Sequence, residues 1–287
     1  MSPDSPRFPH AREPHTAARL TAPAVVLFDW HATLVDTQDA MYRAVDGLLS
    51  ELDALGLDAS LKPAAEAVMT GDGRLRDYVQ RERRLPPEVK AARRVSRTDL
   101  FEILFGDDED AKLRAHAAFN AHYRKHHGAA RPLRGDEYEL LVALAEAGIP
   151  TGLLSNRERE FVTQELALVD GGRWQELFGV VVCGADAGRR KPAPDAILKA
   201  LAELGRTERP GPSHWYVGDS TTDVAAAKRA GVTAVFFNGA AWSGAWFEER
   251  FPGTSERPYV PDVVVADCTE LRELIAACLA RTAFRPS

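Results

Sequence analysis

The run Val25-Val26-Leu27-Phe28-Asp29 constrains this chain most. Apolar residues in unbroken succession, with Pro23 before them and polar text after, predict a short strand buried on both faces. Strands of that kind belong to parallel sheets covered by helices. This one ends in a carboxylate, Asp29, and open α/β sheets place their ligands at the carboxyl ends of their strands.

The remainder divides in two. From Gln38 to Arg124 the spacing is helical: Met41, Val45, Leu48, Leu49 and Leu52 recur on one face, and Leu100, Ile103 and Leu104 on another. Gly71-Asp72-Gly73, after Met69-Thr70, predicts a tight loop between helices. From Gly135 onward strands alternate with helices. Strands are predicted at 150–154, 179–182, 214–217, 232–237 and 263–265, with helices between, and Thr222 is expected to cap the helix after Asp219. The fold class is therefore α/β: a Rossmann-like, doubly wound parallel sheet over 23–36 and 132–287, with an all-helical insert over 37–131. Residues 1–22, with Pro3, Pro6, Pro9 and Pro14, read as a disordered tail without the apolar centre of a signal peptide. The segment 238–261, with Trp242, Trp246 and Phe247, reads as a long loop packed on its own aromatics.

A formal net charge of −6 argues against a nucleic-acid surface. No apolar run approaches the ~20 residues of a membrane span. Cys183, Cys268 and Cys278 show no metal-ligand spacing, and predict reduced thiols in a cytoplasmic protein.

Asp29, Ser155 and Asp219 each end or follow a strand of one sheet, and Lys191 precedes a helix that feeds the next strand. All four converge at one edge. Asp29 and Asp219 are hard oxygen donors suited to Mg²⁺, and Asp223 places a further carboxylate at the start of a helix. Lys191 adds a positive charge for an anion. Ser155 and the backbone N–H groups after it, that of Asn156 included, can donate to a phosphoryl oxygen. The set reads as phosphoryl transfer through an aspartyl-phosphate on Asp29.

In this order the motifs resemble those of the haloacid dehalogenase superfamily, whose members are mostly phosphatases. Asp29 matches the nucleophile and Thr33 the threonine after it. Ser155 matches the second motif, Lys191-Pro192 the third, and Gly218-Asp219 with Asp223 the Mg²⁺-binding fourth. The insert resembles that family's helical cap. The resemblance implies Mg²⁺ as cofactor, a small phosphorylated substrate, and a cap that closes to exclude water. It also implies a metal set of Asp29, the His31 carbonyl, Asp219 and Asp223, and a cap loop in which Arg74 or Arg76 touches substrate.

His31 departs from the pattern, standing where these phosphatases carry an acid–base aspartate. Imidazole is competent for proton transfer, with an unperturbed pKa of ~6.5. The residue therefore predicts either an acid–base group or a pocket-lining residue in an altered enzyme. Alternatives follow from it: a phosphonatase or other C–P or C–halogen hydrolase, a phosphotransferase, or a phosphate-binding relative with impaired turnover. A phosphonatase needs a Schiff-base lysine in the cap, where this chain offers arginines, which cannot form that imine. A dehalogenase needs no Mg²⁺. His122 and His126, four apart on a helix, show no acidic partner in the nearby sequence and read as non-ligating.

Overall fold

The structure, a computed structural model, describes residues 9–12, 16–67, 70–93, 95–126, 130–206 and 208–283. In chain order its elements begin with α1 (Thr16–Arg19), β1 (Val25–Asp29), β2 (Val35–Asp36), α2 (Gln38–Ser50), α3 (Thr70–Glu82), α4 (Pro87–Ala92), α5 (Arg97–Phe105) and α6 (Glu109–His126). They continue with β3 (Arg131–Pro132), α7 (Glu137–Glu146), β4 (Thr151–Leu154), α8 (Arg159–Leu168), β5 (Val180–Val182), α9 (Asp195–Glu203), β6 (His214–Gly218), α10 (Thr221–Ala230), β7 (Thr233–Phe237), α11 (Gly244–Arg250), β8 (Val263–Val265) and α12 (Cys268–Ala283). The chain forms two compact units, Met1–Asp36 with Ala130–Ser287, and Thr37–Ala129.

The first unit holds a six-stranded parallel sheet in the order β5-β4-β1-β6-β7-β8. All five residues of β1 are buried. Val26 and Phe28 pack into one core and Val25 and Leu27 into the other, so helices cover both faces of the strand. The same split runs along β6, with Trp215 and Val217 on one side and Tyr216 on the other. β1 sits between β4 and β6 at the point where strand order reverses.

Several features of this unit depart from the sequence-based expectation. The N-terminal segment is no free tail over its described part. His10 bridges to Val264 on the outer edge of β8, the Arg281 guanidinium donates to the Ala18 and Leu20 carbonyls, and the Trp215 indole donates to the Thr21 carbonyl. An arm that satisfies the unpaired edge of β8 is a low-cost way to close a sheet, but it leaves no periodic pattern to read. β2 and β3 pair antiparallel, Val35 opposite Pro132 and Asp36 opposite Arg131, with Arg131 also donating to the Asp36 carboxylate at 2.6 Å. Arg131 thus belongs to the sheet-bearing unit rather than to the insert. Between β7 and β8 the expected loop contains α11. There Trp242 and Trp246 stack at 4.4 Å, and Phe247 meets Phe236 edge-on.

The second unit is helical, without a strand among its described residues. Thr70–Glu82 is one helix, α3, where the sequence predicts a tight loop; Met69 lies outside the described residues. Gly71 and Gly73 fall in its first turn, where backbone N–H groups have no intrahelical partner anyway. A Cβ at Gly73 would stand 3.1 Å from the Ala64 carbonyl oxygen, so glycine there allows a close backbone approach. Arg76 is committed to this unit, donating to the Ile103 and Pro63 carbonyls. Arg74 is exposed on α3, beside a hollow of about 420 Å³ that it lines with Tyr78, Arg81, Pro86 and Glu88. His122 has an acidic partner the sequence did not reveal, Glu51, at 3.1 Å.

Candidate active site

The register of the sheet builds the site. Asp29 on β1 pairs with Leu154 on β4, so Ser155 emerges one residue beyond it. Phe28 pairs with Val217 on β6, which brings Gly218 level with Asp29 and Asp219 just past it. Three chemistry-bearing residues therefore reach the carboxyl edge of three adjacent strands. The turn after Asp29 is tight. Leu34 and Val35 both donate their N–H to the Trp30 carbonyl at 3.0 Å, Ala32 donates to the Val35 carbonyl, and Ala32 takes a positive φ of 60°. Within that turn His31 is half-buried, and Thr33 is buried with a hydroxyl that has no hydrogen-bond partner among the described residues.

Lys191, whose bond to Pro192 is cis, reaches the centre. Its ammonium donates to Asp29 Oδ1 at 2.5 Å, to the Tyr216 hydroxyl at 2.7 Å and to Asp223 Oδ1 at 2.7 Å. An ammonium has three N–H bonds, and each has an acceptor here. The Lys191 backbone is fixed as well. Asn156 accepts its N–H and donates to its carbonyl, both at 2.9 Å. The Asn156 side chain is thus spent on placing Lys191. Ser155 is buried, and its Oγ accepts the Arg157 N–H at 3.2 Å.

Asp223 is the most tightly held carboxylate. Oδ1 accepts from Lys191 and from Tyr216 at 2.9 Å, while Oδ2 accepts from the Ser220 N–H at 3.1 Å and the Ser220 hydroxyl at 2.5 Å. Ser220, not Thr222, is the N-cap of α10, and with Asp223 it forms a reciprocal capping box. Gly218 makes this possible: a Cβ there would lie 2.5 Å from both Cβ and Cγ of Asp223.

The electrostatics are those of an anionic site built around the Lys191 ammonium. Burial pushes the Asp29 carboxyl up to about 6, although Lys191 beside it pulls the other way and the nearby Asp223 adds to the rise. Burial would lower Lys191, but Asp223 and Asp29 outweigh it and hold the ammonium charged, above its ordinary range. The Tyr216 phenol is raised well above 10 by burial and by Asp223 and Asp29, so it remains a neutral donor. Oxygens of Asp29, Asp219 and Asp223 lie within 4.8 Å of one another. Three carboxylates that close, all hard oxygen donors, fit a small divalent cation such as Mg²⁺, and two of them, Asp29 and Asp223, also hold Lys191.

Tyr216 belongs to none of the sequence motifs. In text it is one more apolar-looking residue of a buried strand, and only its position two before Gly218, on the same face of β6, hints at the site. Cys183 is not part of the constellation; burial pushes its thiol up to about 12. Arg74 belongs to the second unit.

A family model described as a haloacid dehalogenase-like hydrolase matches residues 23–231. Phosphoglycolate phosphatase of Escherichia coli (strain K12) is 30% identical over 215 residues, which span 73% of this chain and 79% of that protein. Among solved structures, a haloacid dehalogenase-like hydrolase from Bacteroides fragilis superposes with a TM-score of 0.55 at 18% identity, over 87% of this chain and 99% of its own. A predicted phosphoglycolate phosphatase from Haemophilus somnus gives 0.52 at 17% identity, over 88% and 98%. The two structural likenesses are likenesses of fold. No helix among the described residues is long and apolar enough to cross a membrane.

Proposed function

The chain belongs to the haloacid dehalogenase-like hydrolases, and from that premise we propose that it is a Mg²⁺-dependent phosphatase acting on a small phosphorylated metabolite through an aspartyl-phosphate on Asp29. The observation that carries this reading is the meeting of Asp29, Lys191 and Asp223 in one hydrogen-bonded cluster, with Asp219 within 4.8 Å and Ser155 at the same sheet edge.

Asp29 attacks phosphorus in line, forming an O–P bond as the bond to the leaving alkoxide breaks. Ser155, Thr33 and the backbone N–H of Asn156 donate to the phosphoryl oxygens. Lys191 turns to the phosphoryl group the N–H it now gives to Asp29, while Tyr216 and Asp223 keep the ammonium in place. His31 gives a proton to the leaving oxygen. It then takes one from the water that attacks phosphorus and frees Asp29. Asp29, the His31 carbonyl and Asp219 would hold Mg²⁺, with Asp223 orienting the site. When bound, the ion screens the like charges of Asp29 and phosphate so that they can approach.

A phosphorylated carboxylic acid such as phosphoglycolate, for which the E. coli relative is named, is the first substrate to try, beside p-nitrophenyl phosphate. Both assays are run with Mg²⁺ and with EDTA. Turnover that needs Mg²⁺ and disappears in Asp29→Asn supports the reading; equal turnover by Asp29→Asn sinks the nucleophile. His31→Asp with an unchanged rate and pH profile removes the acid–base role from His31.

A further inference from the structure

The carboxylate of Glu165, on α8, lies outside the constellation described above and is almost fully buried, with 2% of its side chain exposed. Oε2 accepts the Trp30 indole N–H at 2.7 Å, and Oε1 accepts the Arg157 guanidinium at 2.5 Å. Both partners are buried too. Trp30 follows Asp29 directly, and its carbonyl anchors the turn that carries His31 and Thr33. Its ring stands edge-on to Trp174 at 6.1 Å, and Trp174 is itself held by Asp170 at 2.8 Å. Arg157 lies two residues after Ser155. Its N–H donates to Ser155 Oγ, and its carbonyl accepts the Gly184 N–H at 2.8 Å.

We propose that Glu165 is a positioning residue that locks the loop after β1 to the loop after β4, setting the nucleophile Asp29 and the phosphate-binding Ser155 in fixed relation. The roles of those two residues rest on the function proposed above. The lock joins positions 127 residues apart in the chain (30 to 157) through one carboxylate. A buried ion pair gives little stability over a well-packed apolar replacement, because desolvation offsets the attraction. What it gives is direction. The Arg157 charge is turned inward onto Glu165, so Arg157 serves as scaffold rather than as a phosphate ligand despite its place beside Ser155. Trp30 cannot swing without giving up its bond to a carboxylate that Arg157 holds still.

The test breaks the two halves of the lock separately. Trp30→Phe removes the indole N–H and keeps an aromatic ring. Glu165→Gln keeps an acceptor for Trp30 and weakens the grip on Arg157. Each variant and the double variant is assayed for kcat and KM on p-nitrophenyl phosphate with Mg²⁺, for melting temperature, and for inorganic phosphate affinity by calorimetry. Small displacements of reacting groups cost up to about 100-fold. We expect kcat to fall on the order of 10- to 100-fold in each single variant and inorganic phosphate to bind more weakly, with the double variant no slower than the slower single, since either break undoes the same relation. Unchanged kcat in folded Trp30→Phe overturns the proposal, as does a double variant whose losses multiply. Should Glu165→Gln not fold, Trp30→Phe decides alone, because it leaves the Arg157–Glu165 pair intact. Should the wild type hydrolyse no phosphate ester, the proposed function fails and the lock is judged by phosphate binding. Weaker binding in the variants then supports it, and wild-type affinity overturns it.

Discussion

Tyr216→Phe isolates one hydroxyl at the centre of the site. Tyr216 is 1% exposed, so phenylalanine keeps the packing of β6 and removes only the oxygen. That oxygen accepts from Lys191 at 2.7 Å and donates to Asp223 Oδ1 at 2.9 Å. Without it one buried Lys191 N–H loses its acceptor, while the direct Lys191–Asp223 bond at 2.7 Å survives. Hydrogen bonds to charged groups are worth about 1.5–3 kcal/mol, and a buried donor left unpaired forfeits that amount. The variant should therefore be about 1.5–3 kcal/mol less stable in urea unfolding at neutral pH, with an unchanged denaturant slope. The pH dependence has a definite sign. The native phenol pKa lies well above its unfolded value of 10.0, because burial and the Asp223 and Asp29 charges disfavour phenolate. A raised pKa contributes stability that is complete below pH 10 and is lost as pH rises further. The gap between wild type and variant should be flat from pH 7 to 9 and close above 10. A gap below about 0.5 kcal/mol at neutral pH, the range of ordinary surface substitutions, would refute the claim that Tyr216 holds the ammonium. A gap that widens above pH 10 would refute the electrostatic reasoning.

Gly218→Ala should abolish most turnover and cost about 1–3 kcal/mol, since its Cβ would lie 2.5 Å from Asp223 Cβ and Cγ; wild-type kcat in that variant would show that Asp223 tolerates displacement. Asp186 accepts from Arg159 and from the Cys183 N–H, each at 2.6 Å. Burial alone would raise its carboxyl, but these bonds outweigh it and hold the group below 3.8. Its contribution is present above that pH and lost as pH falls through the depressed native value, so wild type and Asp186→Asn should differ in thermal stability at pH 6 and converge in acid. All three cysteines are buried, and burial raises each thiol, Cys183 to about 12. A thiol reagent at pH 8 should label none of them in the native protein and all three in urea.

What could be read from the sequence follows from the geometry of parallel sheets. Every strand of such a sheet presents its carboxyl end to the same edge. Local punctuation around 25–29, 151–154 and 214–218 was therefore enough to bring Asp29, Ser155 and Asp219 together without knowing strand order. Lys191 could be added because the loop before a helix on that edge has only one place to go. The parts that escaped are those defined by pairs distant in sequence. Asn156 clamping Lys191, Tyr216 bridging Lys191 to Asp223, and Glu165 joining Trp30 to Arg157 have no periodic signature. Each is a polar or amphipathic residue inside text that already reads as strand, loop or helix. The two-residue strands β2 and β3 are too short to alternate, and an N-terminal arm rich in proline resembles a free tail until the edge of β8 is there to receive it. Glycine misled in one place and informed in another. Gly71 and Gly73 read as loop but begin α3, because a first helical turn forgives glycine. Gly218 read as part of a motif, and its physical reason is the Asp223 side chain occupying the space where a Cβ would stand. The roles that chemistry assigns to Asp29 and Lys191 thus depend on neighbours whose identity is fixed by packing. Substitutions at Tyr216 and Asn156 should be felt at the reacting atoms as strongly as many substitutions at the motif residues themselves.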